Sequence, residues 1–93
     1  MACMGDVFKA LADATRRTIL DELADRDDQT LFEICSRLAT KHQLDSTRQA
    51  ISQHLDVLEA AGLVEARREG RYKFHSINRG PLEHIADRWL ERT

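Results

Sequence analysis

"STRQAISQHLDVLEAAGLV", residues 46–64, opens on small polar side chains, continues as an amphipathic run and closes on Ala-Ala-Gly-Leu-Val. Ser46 or Thr47 can cap a helix here, because a short hydroxyl side chain accepts from a backbone N–H of the first turn. Ile51, Leu55 and Leu58 recur at helical spacing and predict one buried side. Gly62 ends the run, since glycine enters the left-handed region without steric cost. The opposite flank carries Arg48, Gln49, Ser52 and Gln53, at i, i+1, i+4 and i+5. A merely solvated flank is more often Glu and Lys. Arg, by contrast, pairs with both acceptors on a guanine edge, and Gln with both groups on an adenine edge.

Beyond Leu63 the period changes from helical to alternating. Tyr72 and Phe74 alternate with Lys73 and His75, and "REGR" at 68–71 sets Glu69-Gly70 between two extended arms, which predicts a hairpin. Arg67, Arg68, Arg71 and Lys73 flank its turn, opposed in sign by Glu69 alone. Such a cluster suits phosphate or minor-groove contact.

Upstream, Val7, Phe8 and Leu11 predict a short first helix, and Asp13 caps a second with Ile19, Leu20 and Leu23 inward. The polar run at 24–29 is its exit loop. Thr30 and Glu33 have capping-box spacing, starting a third helix through Ile34, Cys35 and Leu38. Pro81 suits a first helical turn, and Leu82, Ile85, Ala86, Trp89 and Leu90 follow on one face. The order is four helices, a two-stranded ribbon and a closing helix: mainly α with a small β-hairpin. A hairpin alone is marginal, so it must pack on the helices. Helices followed by an attached ribbon make the winged helix-turn-helix plan, with the quoted stretch as recognition helix and the ribbon as wing.

Ninety-three residues, 42% of them hydrophobic, suffice for one domain, 1–93, with one modest core. Cys3 and Cys35 have no metal-ligand spacing and imply no disulfide framework, so a reducing cytoplasm is expected. No apolar stretch is long enough to cross a bilayer, and no basic-then-apolar leader marks secretion. Net charge is −2, unusual for a nucleic-acid binder. The charge is uneven, however. Residues 1–30 hold four cations against seven carboxylates, whereas residues 66–80 hold five cations against Glu69. The local patch governs association more than the total does. No nucleophile–base pair, phosphate-cradling glycine loop or ligand-spaced cluster stands out, so an enzyme is not expected.

"FKALADATRRTILDEL", "RQAISQHLDVLEAAGLVEARREGRYKFHSI" and the closing helix resemble the ArsR-type (arsenic and metal repressor superfamily) winged-helix regulators, from about Phe8 to Leu90. "RQAISQHL" is similar to a branch lacking the metal-binding cysteines. The resemblance implies a dimeric repressor that binds an operator near its own promoter. Two departures stand out. "ATKHQLDS" at 39–46 is longer than the usual turn and lacks its glycine, implying either an extended third helix or a small loop. The family's metal sensors carry Cys-x-Cys at the start of the third helix. Thr30 and Phe32 occupy the matching positions, and the closing-helix metal motif is absent too, so neither metal nor cofactor is expected.

DNA contact is therefore expected from Thr47, Arg48, Gln49, Ser52, Gln53, His54, Arg67, Arg68, Arg71 and Lys73. His54 can equally pack at the helix junction, and Arg16 and Arg17 can touch the backbone or pair with Asp13 or Asp21. His84, Asp87 and Glu91 share a face, as a metal site or a solvated flank would. Val7, Phe8, Leu11, Leu82, Ile85 and Trp89 hold surplus apolar surface that a symmetric dimer would bury. The alternatives are a winged-helix module that binds another protein, or a sensor acting through metal or the thiols of Cys3 and Cys35.

Overall fold

The computed structural model describes residues 4–90. It comprises α1 (Met4–Leu11), α2 (Ala14–Asp25), β1 (Gln29–Thr30), α3 (Leu31–Lys41), α4 (Arg48–Ala60), β2 (Val64–Glu69), β3 (Tyr72–Ile77) and α5 (Gly80–Leu90). The helix starts follow from local chemistry. The Asp13 carboxylate accepts from the Arg16 N–H at 3.1 Å, and Thr47 accepts from the Ala50 N–H at 3.1 Å. Thr30 and Glu33 close a reciprocal capping box. At the far end of α4, Gly62 has φ +79. Its N–H donates to the Glu59 carbonyl at 3.0 Å, and the Leu63 N–H donates to Leu58 at 2.9 Å. That is a Schellman stop, with buried Leu63 as its apolar contact.

The long α3–α4 connection takes up both of its expected forms. Helix α3 continues to Lys41, and a loop then turns at Gln43, whose φ is +53. The Leu44 N–H returns to the Leu38 carbonyl at 2.9 Å. Side chains from α1 to α4 and the start of β2 form the core, with Ile19, Leu23, Ile34, Leu38, Ile51, Leu58 and Leu63 almost fully buried. Within the described residues no helix is long and apolar enough to cross a membrane.

Three features differ from expectation. Helix α2 runs through Asp25, into the supposed exit loop. The sheet has three antiparallel strands in the order β1-β3-β2, because Gln29 and Thr30 pair with His75 and Phe74. Two residues are too few to show an alternating pattern. The wing turn is Gly70-Arg71 rather than Glu69-Gly70, since Glu69 still pairs with Tyr72. Gly70 takes φ +63 at the first turn position, where a side chain would be strained.

The two terminal helices meet. Leu82 and Ile85 of α5 pack partly against the core, as does Leu11. Val7 is 3% exposed and belongs to the chain's own core, so it offers nothing to a second copy. Phe8 and Trp89 stay 44% and 54% exposed, with ring centroids 6.2 Å apart. Cys3 and Glu91 lie outside the described residues.

Candidate nucleic-acid interface

Burial of Ile51, Leu55 and Leu58 fixes the rotation of α4 about its own axis. Arg48, Gln49 and Gln53 are then exposed, and Ser52 is half-buried beside them. Between Ser52, Leu55 and Asp56 of α4 and Arg71, Tyr72, Lys73 and His75 of the wing runs an open cleft of about 220 Å³. Leu31, in the first turn of α3, also lines it. One surface thus joins the start of α3, the outward flank of α4 and the wing tip.

Strand register sorts the wing cations. Arg68 is opposite Lys73, and Arg67 is opposite Phe74, so the two pairs point to opposite faces of the ribbon. Lys73 shares its face with buried His75 and reaches Glu59 of α4 at 3.8 Å. Both side chains of that pair are well exposed, so it is weak. Arg67 is occupied elsewhere. It pairs with Glu69, reaches Asp28 at 2.7 Å and lies 4.9 Å over the Phe74 ring. The Glu69 and Asp28 hydrogen bonds raise its already high pKa further. Asp28 also accepts from the Ser76 hydroxyl at 3.2 Å, and Asp27 accepts from the Ile77 N–H at 2.9 Å. The acidic 27–28 loop therefore clamps the outer face of the wing and neutralises one of its arginines.

His54 sits at the junction with α1 and α2. Arg16 donates through Nε to Ala10 at 2.8 Å and through Nη2 to Lys9 at 3.1 Å, ending α1. Its Nη1 lies 3.2 Å from His54 Nδ1. A guanidinium can only donate, so Nδ1 accepts and the ring proton of neutral His54 is on Nε2. Arg17 donates to the Leu11 carbonyl at 2.7 Å. Both arginines brace α1.

A second cluster escaped the sequence reading. Glu22 is fully buried in α2, yet its carboxylate meets Arg37, Lys41 at 3.4 Å and His42 at 3.2 Å, all from α3 and its cap. Gln29 Nε2 donates to it at 2.8 Å. Burial pushes the carboxyl up, but hydrogen bonds from Arg37, Gln29, His42 and Lys41 outweigh it and hold the pKa at about 2. The signal was present: Glu22 falls three residues after Ile19, on the inward face of α2. The knot sets α3 against α2, and through α3 it sets α4.

The other candidates are placed more simply. Thr30 is committed to its cap. Burial raises the pKa of half-buried Cys35, against a smaller pull from Arg48, leaving little thiolate near neutral pH. His75 Nδ1 lies 3.1 Å from the Gln29 carbonyl, which can only accept. His84 lines a separate cavity of about 380 Å³ with Met4, Val7 and Pro81, and Asp87 is exposed.

A capped helix that presents hydrogen-bonding side chains beside a cationic β-wing defines a winged helix-turn-helix protein of the DNA-binding kind. The comparisons agree. Residues 11–67 match the family model described as a helix-turn-helix domain. YuzN of Bacillus subtilis (strain 168), an uncharacterized HTH-type transcriptional regulator, is 52% identical over 91% of this chain and 92% of its own. The transcriptional repressor SdpR of the same organism is 34% identical over 86% and 81% of the two chains. An ArsR-like transcriptional regulator from Rhodococcus sp. RHA1 is 44% identical with a TM-score of 0.73, over 96% of this chain and 76% of that one. The homodimeric winged helix-turn-helix DNA-binding domain of Mb0332 from Mycobacterium bovis is 31% identical with a TM-score of 0.70, over 94% and 81%. The chain belongs to the helix-turn-helix transcriptional regulators, in their ArsR-like branch.

Proposed function

We propose that the chain is a homodimeric repressor that acts by occupying a double-stranded operator in the cytoplasm. Each protomer lays α4 in a major groove, where Arg48, Gln49, Ser52 and Gln53 read base edges and Thr47 lies against the backbone. Arg68, Arg71 and Lys73 hold phosphates or the adjacent minor groove, His54 offers its Nε2–H to a phosphate, and Arg67 contributes less because two carboxylates hold it. Copies join through Phe8 and Trp89, flanked by Leu11, Leu82 and Ile85, and address half-sites about 34 Å apart. The observation that carries the reading is the continuity of the outward flank of α4 with the cation-rimmed cleft of the wing. It outweighs a net charge of −2, because the carboxylates of the first thirty residues are spent largely on internal pairs and caps.

Selection of bound fragments from random duplex DNA, followed by salt titration on the selected site, tests this. A two-fold symmetric site and a steep log–log salt dependence are expected. Arg48→Ala or Gln49→Ala should cost about 1–3 kcal/mol and relax one base position per half-site. Arg68→Ala or Arg71→Ala should weaken all sequences alike and lower the slope by about one for each phosphate no longer neutralised. A flat salt dependence without sequence selection would refute DNA reading and favour a protein partner for the same face.

A further inference from the structure

Phe32 is the second residue of α3 and is 67% exposed, more than any other Phe, Tyr or Trp among the described residues. A cap and a packed neighbour account for Thr30 and Leu31, but nothing in the folding of this chain needs a phenyl group there. The guanidinium carbon of Arg48, the first residue of α4, lies 6.0 Å from the centre of that ring. Two other arginines are held by carboxylates, Arg37 by Glu22 and Asp25 and Arg67 by Asp28 and Glu69. Arg48 has the Phe32 face instead. Leu31, its neighbour in α3, lines the same cleft as Ser52 and Tyr72, so this turn of α3 borders the DNA-facing surface.

We infer that Phe32 is a specificity-determining positioning residue: its ring is the platform that orients the Arg48 guanidinium toward a base edge. The inference rests on the reading of α4 as the DNA-contacting helix. Two-point pairing with guanine requires the guanidinium plane to line up with the base, and a long exposed arginine loses much rotamer freedom in meeting that condition. An aromatic face beneath the cation restricts it beforehand without competing for its N–H groups, as a carboxylate would. The pairing to DNA then costs less at the correct base and gains nothing at a wrong one.

The experiment uses the full chain and the duplex site selected from random DNA, with each base pair of a half-site varied in turn. Phe32→Leu should reduce discrimination about two- to fivefold per half-site, at the same base position that Arg48→Ala relaxes. The salt slope and the thermal midpoint should stay unchanged, since the ring is exposed and uncharged. Phe32→Trp should restore the discrimination. In an Arg48→Ala background, Phe32→Leu should add nothing. The inference is overturned if Phe32→Leu weakens every sequence equally, shifts a different base position, or acts undiminished without Arg48. If Arg48→Ala itself leaves base preference intact, the reading of α4 fails, and the role of Phe32 fails with it.

Discussion

Replacing Glu22 with Gln keeps the size of the side chain and removes its charge from beneath Arg37, Lys41 and His42. The carboxyl is held at about 2 against an ordinary 4.5, which corresponds to about 3 kcal/mol before screening. Arg37 and Lys41 keep 25% and 40% of their side chains in water, and both retain Asp25 as a partner. Solvent therefore stabilises the orphaned cations, and about 1–2 kcal/mol should be lost at pH 7. For a domain of this size that is roughly 5–15 °C in thermal midpoint, compared at equal protein concentration so that any self-association cancels. The sign with pH follows from the depressed value. The contribution is complete above about 4.5 and is lost as pH falls toward about 2. Circular-dichroism melts of both proteins should show a gap that persists from pH 7 to pH 5 and closes below about 4.5. The difference between the proteins isolates Glu22 from the other carboxylates titrating there. No gap at pH 7, or a gap undiminished at pH 2.5, would refute the reasoning.

Trp89→Glu places a charge in the Phe8–Trp89 face and should yield monomers by light scattering, with operator binding lost; a wild-type mass of one chain would remove the basis for the dimer. The double change Asp28→Asn and Glu69→Gln releases Arg67 while leaving Asp28's neighbours an acceptor. Affinity for all duplexes should rise and the salt slope should steepen by about one unit per protomer, and an unchanged slope would show that Arg67 never reaches the phosphates. Zinc, cadmium or arsenite should leave operator affinity unchanged, because a cap and an exposed phenyl group stand where thiolates would; a tenfold metal-dependent loss in a binding titration would contradict this.

Much of the fold was legible because its signals are local. Asp13, Thr30 and Thr47 each satisfy an N–H three residues on, and Gly62 stops α4 through its own φ. Each such bond lies within about one helical turn, so the residues that make it are neighbours in the chain. The burial of Ile51, Leu55 and Leu58 follows from the same periodicity, and the outward set of Arg48, Gln49, Ser52 and Gln53 follows from that burial. The wing was legible as a ribbon, but its turn was displaced by one residue: both Glu-Gly and Gly-Arg satisfy the pattern, and only the pairing of Glu69 with Tyr72 chooses between them.

What only tertiary structure decided involves partners far apart in sequence. Gln29 becomes a strand because His75 arrives beside it, and Arg67 is neutralised by an aspartate 39 positions earlier. The carboxylate of Glu22 is ionised inside the protein because Arg37, Lys41 and His42 come from the next helix, and His54 is turned by Arg16, 38 residues away. Phe32 and Arg48 meet across the α3–α4 connection, whose length gave no measure of the angle it makes. By itself, then, the sequence determined the helices, their caps and the face each one buries, because those interactions are satisfied within a turn. Which charges remain free to meet DNA was decided by the path of the chain, because a carboxylate neutralises a cation only where folding brings the two within a few ångströms.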